Sequence, residues 1–166
     1  MNPLVEKFKN HQIILASNSP RRKELLKGLD IDFICKTKQV DENYDSSLKN
    51  EEITEYLANK KALAFGKLAK NEVLITADTI VWFKNKPLEK PKNTIEAVKM
   101  LKELSGNTHT VITSVNIKTH SKSKIFTTIT KVYFKQLSIQ EIEYYVTNYK
   151  PFDKAGSYGI QEWLGY

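Results

Sequence analysis

The 166-residue sequence has one cysteine, Cys35, only six glycines and five prolines, and no apolar run near the ~18–20 residues of a membrane-spanning helix. Each scarcity excludes a class. A single cysteine closes no internal disulfide, and without Cys or His neighbours at ligand spacing it builds no zinc site. So little Gly and Pro argues against fibrous and low-complexity chains. His11, His109 and His120 show no mutual metal spacing and are expected to be structural or solvated. No Gly-x-Ser-x-Gly elbow occurs, so serine-nucleophile chemistry has no support. The opening Met1-Asn2-Pro3-Leu4-Val5-Glu6-Lys7 lacks the apolar core of a secretion signal, and a reducing, cytoplasmic setting is expected.

What remains is ordinary globular composition, with 40% hydrophobic and 27% charged residues. On a prior of ~100–200 residues per domain, the whole chain, 1–166, reads as one domain with one core. Basic residues exceed acidic ones by 26 to 19, a net charge of +7 that invites an anionic partner. Nucleic acid, a membrane surface and small phosphorylated substrates all qualify. The lysines are scattered, with no block of five or six, and aromatics do not interleave with them as a stacking platform would, so nucleic acid is not expected.

Strand and helix patterns alternate along the chain. Ile13-Ile14-Leu15-Ala16 reads as a buried strand, and Pro20 to Lys27 as a helix with Ser19 at the N-cap, Pro20 at the first position and Gly28 past the end. Asp32 to Lys36 looks like a strand. Ile53, Leu57, Lys60, Leu63 and Ala64 recur at helical spacing within residues 51–68. Val73 to Phe83 returns to strand composition. A helix from about Asn93, with Glu96 three residues on, runs to a stop at Gly106. Strands from Thr108 to Lys118 and from Ile125 to Lys135 form a hairpin, and Ser138 with Glu141 opens a last helix near Gln140 to Asn148. The order predicts a three-layer α/β fold around a mixed central sheet.

Two places carry chemistry. At Leu15-Ala16-Ser17-Asn18-Ser19-Pro20-Arg21-Arg22 a buried strand delivers the chain into a helix N-terminus, where the dipole and backbone amides attract anions. Ser17 and Ser19 add hydroxyls, and Arg21 and Arg22 add planar forks suited to phosphate. Arginines there oppose the dipole, so helix stability alone would favour Asp or Glu; the bland alternative is a capped helix with two surface arginines. The second place is Asp78, the only ionisable residue in Val73-Leu74-Ile75-Thr76-Ala77-Asp78-Thr79-Ile80-Val81-Trp82-Phe83. A buried carboxylate needs a cation, a metal or a raised pKa, unless a turn splits the strand here and Asp78 caps it. Asp41 and Glu42 follow an apolar strand, and Lys61 and Lys90 cannot be told from the other lysines by pattern.

Taken together, Ser17-Asn18-Ser19-Pro20-Arg21-Arg22, Ala77-Asp78-Thr79, Glu89-Lys90-Pro91, Ser105-Gly106-Asn107-Thr108-His109 and Lys154-Ala155-Gly156-Ser157-Tyr158-Gly159-Ile160-Gln161 resemble the Maf family of nucleotide pyrophosphatases. The Ser-Pro-Arg-Arg form resembles its dTTP/UTP branch. The resemblance implies a Maf and ITPase-like fold and hydrolysis of a nucleoside triphosphate to monophosphate and pyrophosphate, aided by Mg²⁺ or Mn²⁺. It implies that Asp78 accepts the proton from water, and that Ser17, Arg21, Arg22, Lys61, Thr79, Lys90 and Gln161 bind substrate, with Arg21, Thr79 and Gln161 at positions of base selection. Glu42 and Asp78 are the implied candidates for the metal, with the choice between them, and between direct contact and contact through water, left open by the resemblance. The family continues past the apolar Trp163-Leu164-Gly165-Tyr166, so the chain is expected to lack a C-terminal segment, and a homodimer is the expected assembly. The family is also associated with septum formation. A nucleotide sensor or nucleic-acid-binding regulator of cell division, binding without turnover, is the alternative.

Overall fold

Ile13, Ile14 and Leu15 are all buried, as a strand apolar on both faces must be, and they define the first strand of a six-stranded sheet. The computed structural model describes residues 2–166. It divides into two compact units, one made of residues up to 78 with 113–127, the other of 79–112 with 128–166. The strand order is β2-β1-β3-β5-β6, with β4 paired to β3.

In the first unit, α1 (Pro3–Phe8) precedes β1 (Gln12–Leu15), α2 (Pro20–Lys27), β2 (Phe33–Cys35) and α3 (Glu51–Leu63), followed by the start of β3 (Glu72–Phe83). Strand β1 lies parallel to both β2 and β3, with Ile14 opposite Ile34 on one side and Leu74 on the other. Helix α1 was not expected; Asn2 starts it by accepting the Leu4 N–H through its side chain. Helix α3 stops at Leu63, five residues before the expected end, and its buried stripe is Ile53, Thr54, Leu57, Ala58 and Ala62, whereas Leu63 is exposed. Donors from elsewhere in the unit close its end. Lys38 Nζ donates to the Ala64 carbonyl, Lys118 Nζ to those of Ala62 and Gly66, and His120 Nδ1 meets that of Leu68. Cations at a helix C-terminus complement its dipole.

The other half of α3 is fixed by hydroxyls. Thr54 and Ser114 are fully buried and pair at 2.6 Å; Ser114 then meets Thr127 at 2.9 Å, and Thr127 donates to Glu55 at 2.7 Å. Each buried hydroxyl therefore has a partner, which avoids the desolvation cost of leaving it unpaired.

The second unit holds the end of β3, β4 (Lys86–Leu88) and α4 (Thr94–Leu104). After these come parts of β5 (Thr108–Lys118) and β6 (Ser123–Tyr133), then α5 (Ile139–Tyr149) and short 3-10 turns at Ala155–Ser157 and Trp163–Gly165. Strand β4 was missed by the sequence. It returns antiparallel to β3 through Lys84-Asn85, both at positive φ, the geometry of a tight two-residue hairpin, here without the glycine that usually signals it. Helices α4 and α5 begin where their caps predicted. Asn93 accepts the Glu96 N–H, and Ser138 and Glu141 cap each other reciprocally. Their apolar faces, Ala97, Leu101 and Leu104 with Ile142, Tyr145 and Val146, close a core with Val81, Phe83 and Leu88. Strands β5 and β6 are neighbours joined by four residues, a link only antiparallel strands can make. Strand β6 lies two residues earlier than expected, since Phe134 N–H and Lys135 C=O turn instead to Asn107 and Gly106.

Candidate active site

Strand β1 leads into α2 as the sequence suggested. Ser17 is buried and its Oγ accepts the Ser19 N–H at 3.2 Å; Ser19 holds the N-cap position but makes no side-chain cap bond. No acidic residue occupies the first turn of α2 to offset Arg21 and Arg22. Arg22 reaches over to β3, where its Nη1 donates to the Ala77 carbonyl at 2.8 Å. Burial lowers its pKa from the ordinary value; Asp78 pulls the other way, Arg21 adds to the lowering, and Glu42 opposes it.

The next residue along β3 is Asp78. Strand β3 is one unbroken 12-residue strand, so no turn splits it there, and Asp78 is a buried carboxylate at 8% exposure. Its partner is Lys61 from α3, whose Nζ stands 2.7 Å from Asp78 Oδ1 and 2.9 Å from Glu42 Oε1. Burial raises the Asp78 pKa, the Lys61 ammonium and the Arg22 guanidinium oppose this, and Glu42 adds to it. Beside this group, Lys60 Nζ donates to the Asn43 carbonyl and lies over the Tyr56 ring. The first unit thus gathers Arg22, Glu42 and Lys61 around the Asp78 carboxylate.

Lys61, named in the sequence only through the family resemblance, could also have been picked out by pattern. Leu57 and Ala58 precede it by four and three residues, so it extends the buried stripe of α3, and a lysine on a buried stripe needs an anion.

Thr79, Lys90 and Gln161 belong to the second unit, Thr79 half-buried in β3 and Lys90 and Gln161 exposed in loops. The segment around Gln161 is held by side chains that sequence reasoning did not single out. Lys154 is buried, with its ammonium 2.8 Å from Asp153 and 3.1 Å from Glu162. The Tyr145 hydroxyl donates to Glu162 and accepts the Gly159 N–H at 3.0 Å. Gly156 takes φ +68°, and a Cβ there would stand 2.8 Å from Val81 Cγ2. His109 is buried in this unit, as a structural histidine, with Nε2 2.7 Å from the Tyr158 hydroxyl.

No group of three or more His, Cys, Asp and Glu at metal-holding distance occurs among the described residues. Glu42 and Asp78 nevertheless fit a hard divalent cation. They already share the Lys61 ammonium through oxygen atoms, and Mg²⁺ is commonly held by one or two carboxylates, with water and substrate phosphate completing its shell. A separate concavity of about 390 Å³, lined by Ile14, Lys36, Thr37, Lys38, Phe65, Lys67, Leu68 and Glu72, includes none of these residues.

A mixed sheet flanked by helices, with a carboxylate and cations beside a strand-to-helix junction, defines an α/β protein equipped for phosphate chemistry. The fold is shared with the Ham1 protein of Staphylococcus aureus, at a TM-score of 0.52 and 16% identity over 74% of this chain and 71% of that one. The Maf-like protein family model matches residues 12–166, and the chain belongs to that family. Among its relatives, the dTTP/UTP pyrophosphatase of Flavobacterium johnsoniae is 54% identical over 98% of this chain and 84% of its own length. The dTTP/UTP pyrophosphatase of Bacteroides fragilis is 50% identical over 94% of this chain and 82% of its own. No helix among the described residues is long and apolar enough to cross a membrane.

Proposed function

We propose that the protein hydrolyses dTTP and UTP to the nucleoside monophosphate and pyrophosphate. The observation that carries this reading is the buried Asp78 carboxylate, held by Lys61 with Arg22 and Glu42 close enough to shift its protonation. The names of the relatives supply the substrate class. A carboxylate whose pKa is raised by burial is a better proton acceptor near neutral pH than an exposed one. Asp78 takes a proton from water, the water oxygen bonds to the α-phosphorus, and the bond from that phosphorus to the α–β bridging oxygen breaks. Pyrophosphate departs with the bond's electron pair. Arg21, Arg22, Lys61 and Lys90 neutralise the phosphate tail, with Ser17 as a hydroxyl partner.

Glu42 and Asp78 would hold Mg²⁺ or Mn²⁺, which supplies polarisation of a phosphoryl oxygen when bound. Gln161 offers a donor and an acceptor side by side, able to read the edge that thymine and uracil share, while Arg21 and Thr79 complete base selection. The reading places the enzyme in the cytoplasm with its nucleotide substrates. Chromatography of a nucleotide panel incubated with the protein and Mg²⁺ tests it. Monophosphate and pyrophosphate from dTTP and UTP are expected; orthophosphate as first product refutes the cleavage position, and binding without turnover returns the protein to the sensor class.

A further inference from the structure

A single ammonium joins the two carboxylates assigned above to a divalent metal. Lys61 Nζ lies 2.7 Å from Asp78 Oδ1 and 2.9 Å from Glu42 Oε1, and its side chain is 17% exposed against 11% for Asp78 and 55% for Glu42. Three elements converge on that charge: α3 brings Lys61, β3 brings Asp78, and the loop after β2 brings Glu42. Without the ammonium, the two carboxylates would lose the cation that contacts both and repel more strongly, with the Arg22 guanidinium left to offset part of that repulsion. Glu42 and Asp78 are the residues that would hold a divalent cation, and the oxygen atoms they would offer it include the two that Nζ now contacts. Lysine suits temporary occupancy, since its charge is compact, its donors rotate and its four-carbon stem is flexible. Arg22, by contrast, is tied to the Ala77 carbonyl.

We propose that Lys61 is a resident counter-ion, which holds Glu42 and Asp78 together in the nucleotide-free protein and yields its place to the divalent metal when the triphosphate enters, its ammonium then passing to phosphate oxygens. This exchange rests on the assignment of the chain as a metal-assisted nucleoside triphosphate pyrophosphatase. Metal alone binds poorly, because it displaces an ammonium that has nowhere better to go. Metal with a triphosphate binds well, because the phosphate tail gives the ammonium a new anionic partner. Metal and nucleotide are therefore coupled through one lysine.

The test is Mn²⁺ binding to nucleotide-free protein, followed by electron paramagnetic resonance, in the wild type and Lys61→Met. The variant should bind Mn²⁺ about tenfold more tightly or better, the order of an ordinary coupling between competing ligands. Mn²⁺ should also raise the variant's melting temperature more than that of the wild type. Equal or weaker Mn²⁺ binding by Lys61→Met overturns the exchange. Should the variant not fold, lysine ¹⁵N resonances of the wild type decide. The Lys61 ammonium signal should shift when Mg²⁺ is added with a non-hydrolysable α,β-methylene triphosphate, and a signal that stays in place overturns the exchange equally. Failure of the underlying function would appear elsewhere, as absence of turnover in the wild type with Mg²⁺ and dTTP.

Discussion

Acidification should destabilise this protein through His109. The imidazole is buried, its Nε2 meets the Tyr158 hydroxyl at 2.7 Å, and its Nδ1 has no hydrogen-bond partner. Phe134 and Tyr158 pack against the ring with centroids 5.6 and 5.5 Å away, so a second proton on the imidazole would be placed in aromatic, desolvated surroundings. Burial lowers the pKa from 6.5 to about 4. The folded state thus keeps the ring neutral where the unfolded chain protonates it, and unfolding gains a proton between those two values. The stabilisation is complete above pH 6.5, shrinks as the pH falls, and is gone below about 4. The gap corresponds to roughly 3 kcal/mol, or roughly 6–12 °C of melting temperature in a chain of this size. Carboxylates titrate in the same window, so the assay compares melting curves of wild type and His109→Gln at half-unit steps from pH 7.5 to 4. The glutamine amide can still reach Tyr158 but takes up no proton. It should start less stable, having lost the aromatic packing, and then lose less stability on acidification than the wild type. Parallel pH profiles for the two proteins would refute the reasoning.

Other perturbations separate the roles at the carboxylate. Asp78→Asn should cut hydrolysis by ~10²–10⁴ while nucleotide still binds, as expected for loss of a proton acceptor, and turnover near the wild-type rate would remove Asp78 from that role. Its stability loss, read by denaturant titration, should fall below the ~3–5 kcal/mol of a fully broken buried pair, because Lys61 retains Glu42 at 2.9 Å. Arg22→Ala should weaken triphosphate binding and also cost ~1–3 kcal/mol by leaving the Ala77 carbonyl without its guanidinium, with Arg22→Lys intermediate in both calorimetric affinity and melting temperature. Gly156→Ala should lower stability by ~2 kcal/mol or more, since φ +68° is strained for alanine and its Cβ would press on Val81; an unchanged melting temperature would show that the segment moves freely.

Much of the architecture was legible because local signals and tertiary structure agree. The capping residues Asn93, Ser138 and Glu141 act where the sequence placed them, and Ile13 to Leu15 and Val73 to Phe83 are strands because β-branched and apolar residues run together there. The misses have physical causes. Strand β4 hides behind a turn of Lys84 and Asn85, whose positive φ values no glycine announces. The end of α3 was overshot because Ala64, Phe65 and Leu68 continue an apolar pattern, while Lys38 and Lys118 meet the carbonyls at its end from distant points of the chain.

At the site, the strand-to-helix junction and Asp78 stood out because each breaks a local rule: cations where a helix dipole favours anions, and a charge inside an apolar strand. Glu42 and Lys61 did not, since each viewed alone is an ordinary surface charge. The two kinds of residue are nevertheless linked. A buried carboxylate of β3 requires a cation, and α3, whose stripe of Ile53, Thr54, Leu57, Ala58 and Ala62 is buried, supplies it at Lys61, three residues after Ala58. The expense of burying Asp78 therefore predicts a lysine on a helix 17 residues away, and that lysine in turn draws in Glu42, which by its exposure alone would have stayed in water.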